Sequence, residues 1–274
     1  MGDGVEPIRT PRTNRPAMRT SSPGTRVVLV LAKAPVAGRV KTRLMPAATP
    51  EGAAGIAAAA LLDTLEAAAA VPGARVVVAL EGDSRLAERA DEVVDGLAGT
   101  VVVPQRGHTL GERITAAHDD VAAAYPGAAT VQIGMDTPQV DAGLLGDALD
   151  LVDGGGADAA LGLALDGGWW ALALADPRRA AVIAMVPTSR DDTGPRTLAT
   201  LRAGHDGLDP VRVLELPLLS DVDNPGDAVT VADLVPTGRF ARAVADQLLT
   251  PRSSSPIGVL PPSRRLPVPG GLPR

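Results

Sequence analysis

The chain has 274 residues, 45% of them hydrophobic and 21% charged, which suits one α/β domain of ordinary-to-large size and makes two a squeeze. Aromatic residues are only 1%, so the core falls to Ala, Val and Leu, and without cysteine there is no disulfide scaffold, thiolate zinc site or cysteine nucleophile. The net charge of −6 is uneven: residues 1–26 carry +3 and 250–274 carry +4, leaving −13 on 27–249, an acidic body that argues against nucleic acid as the main ligand.

Residues 1–25 are rich in Pro, Arg, Thr, Ser and Gly and hold no apolar stretch of the secretory type, so a disordered tail and a cytoplasmic protein are expected. No apolar run reaches the roughly 18 residues of a membrane span. Val27–Ala32 (VVLVLA) is a short β-rich run leading into a loop. Thr49–Ala70 reads as a helix with Thr49 as N-cap and Pro50 in the first position. Strands are expected at Arg75–Leu80, Thr100–Val103, Thr130–Gly134, Ala157–Leu163, Trp169–Ala175 and Val211–Leu216. Helices are expected at Ser84–Leu97, Leu110–Ala124, Asp141–Val152, Arg178–Met185, Gly194–Ala203 and from Asn224 to Leu234. The Pro-rich stretch 249–274 reads as a second disordered tail, so the folded domain is expected at 26–248.

Strands alternating with helices at this spacing predict an α/β fold with a mainly parallel, Rossmann-like sheet and helices on both faces. The strands are continuous apolar runs, as expected where both faces are covered. Ligands of such sheets bind at the carboxyl ends of the strands. That rule directs attention to the segments 33–43, 105–113, 136, 166–170 and 221–223.

After the first strand, Lys33, Arg39, Lys41 and Arg43 cluster around Gly38. Arg gives paired donors, Lys a point charge, and Gly close backbone approach, so the loop suits a di- or triphosphate. The segment has neither the P-loop pattern nor the Gly-rich dinucleotide fingerprint. Asp136 follows an apolar strand and reads either as a site carboxylate or as a turn or helix cap before Thr137-Pro138. Asp221 and Asp223 alternate, so in an extended segment they point to one side. With Asp136 they would make an oxygen-rich site for Mg²⁺ or Mn²⁺, the competing reading being an N-cap at Asp223 or Asn224. Asp166-Gly167-Gly168-Trp169-Trp170 holds both tryptophans of the chain. The glycines allow a ligand to approach the backbone, and Trp169 suits either stacking or core packing. Between Gln105 and Arg113, Glu112 and Arg113 read as first-turn helix charges or as ligand contacts, and His108 has no histidine cluster around it.

The stretch AKAPVAGRVKTRL (32–44) resembles the opening motif of the DUF2064 family, glycosyltransferase-like proteins of the GT-A (nucleotide-diphospho-sugar transferase) superfamily. More distantly it resembles the opening loops of the 2-phospholactate and molybdenum-cofactor guanylyltransferase families. Gln105, Leu110-Gly111-Glu112-Arg113, Gly134-Met135-Asp136-Thr137-Pro138, Asp166-Gly167-Gly168-Trp169 and Asp221-Val222-Asp223-Asn224-Pro225 recur in the family's order, over roughly 27–235. The resemblance implies a GT-A sheet. It also implies a metal held by Asp136 and Asp223, with Asp221 as a further candidate. Nucleotide phosphates would lie at Lys33, Gly38, Arg39, Lys41 and Arg43, and the base or acceptor near Gln105 and Gly111. Acceptor contacts would come from Asp166, Gly167, Gly168 and Trp169. Catalysis would rest on Lys41, Asp136 and Asp223. Two departures stand out: Met135 where relatives carry Ser, and Pro187-Thr188-Ser189-Arg190 where they carry a Trp-Ser/Thr pattern.

The resemblance and the residues together imply a transferase that uses a nucleotide-activated donor and a small-molecule acceptor. Glycosyl transfer from a nucleotide sugar comes first. Nucleotidylyl transfer from a nucleoside triphosphate needs the same residues, and a non-catalytic nucleotide-binding protein is the alternative of another class.

Overall fold

The structure, a computed structural model, describes residues 24–204 and 209–250. The tails expected at 1–25 and 249–274 lie outside the described residues, apart from 24–25 and 249–250. Seven strands form one sheet: β1 (Arg26–Lys33), β2 (Ala74–Glu81), β3 (Val101–Pro104), β4 (Ala129–Ile133), β5 (Ala159–Ala164), β6 (Trp169–Leu174) and β7 (Val213–Leu219). Their order is β3-β2-β1-β4-β6-β5-β7. β1 lies parallel to β2 and β4, β2 to β3, and β5 to β7. β6 is antiparallel to both its neighbours. Its amino end therefore shares an edge with the carboxyl ends of the other six, which brings the 166–169 turn to that edge.

Helices α1 (Pro50–Ala69), α2 (Ala90–Leu97), α3 (Leu110–Ala124), α4 (Ala142–Asp153), α5 (Thr193–Ala203), α6 (Pro225–Leu234) and α7 (Arg239–Val244) follow. Alternation along β1 sorts its side chains to two layers. Val28, Val30 and Ala32 pack with Ala57 and Leu61 of α1 and Leu145 of α4. Val27 and Leu29 pack with Ala117 and Val121 of α3. Both faces are covered, which is why the strands lack polar alternation. The Ala-rich α1 packs on several sides, including against Val231 of α6 and Phe240 of α7. Among the described residues, α1 is long and apolar enough to cross a membrane, with mean hydropathy 1.3, but 72% of that window is buried inside the fold.

Three expected elements differ. The helix expected at Ser84–Leu97 is a 3-10 turn (Ser84–Leu86), a break, and then α2. At the break Glu88 N–H donates to the Pro35 carbonyl (2.8 Å) and Arg89 is left-handed (φ 57°), so a tertiary bond overrides the local pattern. The helix expected at Arg178–Met185 is a 3-10 segment, Pro177–Met185. It lies close on α3, where the Thr115 hydroxyl donates to the Ala180 carbonyl at 3.0 Å. The last strand runs Val213–Leu219 rather than Val211–Leu216 and contains Pro217, as an edge strand permits.

Candidate functional site

At the carboxyl edge of the sheet lies an open cleft of about 820 Å³. The basic loop forms one rim. After β1 the chain turns through Gly38 (φ 72°) and Lys41 (φ 47°), both left-handed, and a 3-10 turn at Thr42–Leu44 buries Leu44. A left-handed lysine is uncommon and costs strain. Here it aims the ammonium inward. Lys41 Nζ lies 3.2 Å from Asp136 Oδ2 and 3.9 Å from Asp223 Oδ1, and it donates to the Val222 carbonyl. Its side chain is only 13% exposed. Arg43 pairs with Asp223 from the solvent side. Lys33 and Arg39 also line the cleft, Lys33 at 3.8 Å from Glu81, whereas Gly38 shapes the loop without lining it.

The opposite rim is acidic. Val222 N–H donates to the Asp136 carbonyl (3.1 Å) and Gln139 donates to the Ser220 carbonyl, so the segment after β7 is pinned to the segment after β4. Through their shared Lys41, the Asp136 and Asp223 oxygens lie at most about 7 Å apart. Among the described residues a different group gathers: oxygens of Asp166, Asp221 and Asp223 lie within 4.8 Å of one another. Asp166, expected on the acceptor side, thus joins the expected metal pair's neighbourhood. Burial pushes the Asp221 carboxyl up to about 6, helped by Asp166, Asp223 and Asp136. Mutual repulsion of this kind is relieved by a cation. Opposite ligands of an ideal Mg²⁺ site are about 4.2 Å apart, so a small inward shift of the trio suffices, and the residues fit a hard divalent ion.

Neither Asp136 nor Asp223 caps a helix. Asp141 caps α4, its side chain accepting from Leu144 N–H at 2.8 Å. Asn224 caps α6 in a capping box with Asp227.

The 166–170 wall divides its duties. Gly167 meets protein, whereas Gly168 lines the cleft. A Cβ on Gly167 would stand 1.8 Å from the Asp191 carbonyl oxygen, and Gly194 N–H donates to the Gly167 carbonyl (2.8 Å). Trp170 fills the core and its indole N–H donates to Pro217 (2.9 Å), while Trp169 stands half-buried on the cleft. The loop left open by its departure from the family pattern also reaches the cleft, through Thr188, Ser189, Arg190 and Asp191.

Around α3 most of the expected site residues serve the fold. Glu112 closes a capping box with Thr109, and His108 is exposed outside the cleft lining. Gly111 is a packing residue: a Cβ there would lie 2.6 Å from the Ile183 carbonyl oxygen. Gln105 lines the cleft but donates to the carbonyls of Ala32 (2.8 Å) and Ala79 (2.9 Å), joining the ends of β1 and β2. Arg113 lines it as well, paired with Glu81 at 2.6 Å. Met135 is not idle, since its sulfur accepts from Lys33 N–H at 3.2 Å. Gln132, a buried residue of the cleft lining, escaped the sequence reading. For Gln132 a signal existed: a polar side chain inside the apolar run TVQIG.

A mainly parallel seven-stranded sheet with one reversed strand is the architecture of the nucleotide-diphospho-sugar transferase fold. Residues 64–190 match the sequence model of the family described as "Uncharacterized protein conserved in bacteria (DUF2064)". The basic loop and the Asp221–Pro225 segment lie outside the matched residues. A solved structure from Desulfovibrio desulfuricans G20, provisionally named a nucleotide-diphospho-sugar transferase, is similar over 81% of this chain and 98% of its own, with 24% identity and a TM-score of 0.66. Rv0371C of Mycobacterium tuberculosis H37Rv in complex with manganese shares 22% identity over 77% of this chain and 99% of its own, at a TM-score of 0.42. A CMP:2-keto-3-deoxy-manno-octonic acid synthetase complexed with CTP shares 13% over 77% and 99%, at 0.48. No curated protein matches the chain by sequence.

Proposed function

We propose that the protein is a divalent-metal-dependent transferase that moves the glycosyl group of a nucleotide sugar to a small-molecule acceptor. The observation that carries this reading is the interleaving, at one cleft edge, of Lys41 and Arg43 with Asp136, Asp221 and Asp223. Phosphates need the cations, and a hard metal needs the carboxylate oxygens. Asp136 and Asp223 would hold Mg²⁺ or Mn²⁺, with Asp221 and Asp166 beside them. Such an ion, when bound, neutralises the charge that develops on a leaving diphosphate. Lys41 and Arg43 add fixed positive charge from the protein at the same place, without reorganisation during the reaction. Trp169 and Asp166 offer a flat face and a hydrogen-bond acceptor, which suits a sugar ring.

Incubation with nucleotide sugars and nucleoside triphosphates in Mn²⁺, together with a panel of small hydroxyl and phosphate acceptors to take the transferred group, tests the reading. Release of a nucleoside diphosphate is the expected result. Release of pyrophosphate would move the assignment to nucleotidylyl transfer, in which an acceptor phosphate attacks the α-phosphorus. Binding measured by calorimetry with neither product would leave a non-catalytic nucleotide-binding protein.

A further inference from the structure

Between α3 and β4 lies a polar group that the reading above does not use. His118 of α3 is fully buried (0% exposed), as is Thr130 of β4, and Gln132 of β4 is 3% exposed. Both ring nitrogens of His118, Thr130 Oγ1 and Gln132 Oε1 are buried without a hydrogen-bond partner. His118 and Gln132 adjoin. Burial pushes the imidazole down to about 4, and Gln132 offsets part of that by accepting toward it, although the pair falls short of full hydrogen-bond geometry. The imidazole is thus neutral, with one N–H to give, and Gln132 Oε1 is the acceptor beside it.

Leaving such groups unsatisfied costs stability, so their position calls for a use. Gln132 also lines the cleft. With Oε1 buried toward His118, Nε2 is the end of the carboxamide that faces the cleft. The cleft's acids Asp136, Asp166, Asp221 and Asp223 follow β4, β5 and β7, and Lys41 and Arg43 pair with Asp136 and Asp223. The same lining includes the uncharged Leu31, Leu110, Ile114 and Gln105, and its cations Lys33 and Arg113 share Glu81. A region of this kind does not suit a phosphate. It suits a flat, uncharged ring with a hydrogen-bond acceptor at its edge.

We infer that Gln132 is a specificity-determining residue that donates from Nε2 to a carbonyl or ring nitrogen of the donor's nucleobase, and that His118 is a positioning residue fixing the carboxamide from behind. The inference rests on the proposed nucleotide site. A site built to pair with a polar group rejects partners that lack it far more strongly than an apolar pocket rejects an extra atom.

Calorimetry with the full chain in Mn²⁺, using the common nucleoside triphosphates and base-free inorganic tripolyphosphate, tests it. The wild type is expected to prefer some bases over others. Gln132→Met, close in volume and without a donor, should lower affinity for the preferred nucleotide about tenfold and flatten the preference, with tripolyphosphate affinity unchanged. Gln132→Asn, which keeps the amide but shortens its reach, should act in the same direction and serves if the Met variant fails to fold. His118→Leu should reduce the preference ratio while leaving tripolyphosphate binding alone, a change that a purely structural histidine would not produce. An unchanged base preference in the folded variants, or a wild type without preference, overturns the inference and leaves the transferase reading standing. A wild type that binds neither nucleotides nor tripolyphosphate overturns both.

Discussion

Two strand-to-helix junctions of this molecule begin alike and end differently. Both the segment before α3 and the segment before α6 close a capping box, Thr109 with Glu112 in one and Asn224 with Asp227 in the other. In the first, the helix takes the acid: Glu112 accepts from His108 N–H (2.6 Å) and Thr109 N–H (3.3 Å), and His108 is left outside the cleft lining. In the second, the cap is complete without Asp221 and Asp223, which both turn to the cleft, Asp223 pairing there with Lys41 and Arg43. A polar residue at such a junction is free for chemistry only when another residue already satisfies the helix. Asp136 obeys the same rule, because Asp141 caps α4.

The largest effect that would sharpen this contrast is loss of turnover. Asp136→Asn and Asp223→Asn should each abolish product formation in Mn²⁺ while melting within a few degrees of the wild type, since neither caps a helix. Retained activity in either variant would break the contrast, because Asn replaces Asp as a cap at little cost. Next in size, Lys41→Ala should weaken nucleotide binding in calorimetry by about 1.5–3 kcal/mol, the range for a hydrogen bond to a charged group. Arg43→Ala should cost less, because its side chain is 73% exposed and its charge is screened. Equal losses would place the phosphates nearer the outer rim than Lys41.

On the capping side, Asn224→Ala should lower unfolding stability by about 1 kcal/mol in urea while base preference and turnover chemistry persist. Loss of turnover without loss of stability would merge the two roles that the structure separates. The smallest effect concerns Asp221. Its folded-state carboxyl, pushed up to about 6 from an ordinary value of 3.8, keeps its proton where the unfolded chain has lost it. Stability without metal should therefore fall as pH rises from about 4 to about 6, and stay lowered above that. Asp221→Asn should remove the slope and raise the melting temperature at pH 7 by about a degree or two, half-exposure weakening the effect. A wild-type profile that rises through that window would show the repulsion to be absent.

Much of the fold was legible because its signals are local. Thr49 before Pro50, the apolar runs of β1 to β5, and Thr109 three residues before Glu112 each specify an element without distant help. The misread elements depended on contacts between segments: the Glu88–Pro35 bond breaks one helix and the packing of α3 draws 177–185 into a 3-10 form. The site was legible in its charges, because cations and carboxylates at strand ends stand out in an Ala/Val/Leu chain. It was not legible in its glycines. Gly111, Gly167 and Gly168 look the same in sequence, yet in the fold another backbone approaches Gly111 and Gly167 while Gly168 lines the cleft. Likewise, no spacing rule places Asp166 within 4.8 Å of Asp221 and Asp223, because that closeness comes from the reversal of β6 and the register of β5 on β7.

The contact between Gly167 and Asp191 has a consequence for how this protein tolerates change. Gly194 N–H is bonded to Gly167, and a Cβ on Gly194 would stand 2.3 Å from the Gly168 carbonyl oxygen, so the turn before β6 and the loop before α5 fit each other atom to atom. One carries Asp166 and Trp169, the other Ser189 and Arg190. Neither segment is an independent module. Transplanting one of them from a relative to alter what the cleft accepts would wedge the other outward, whereas moving the pair together preserves the fit.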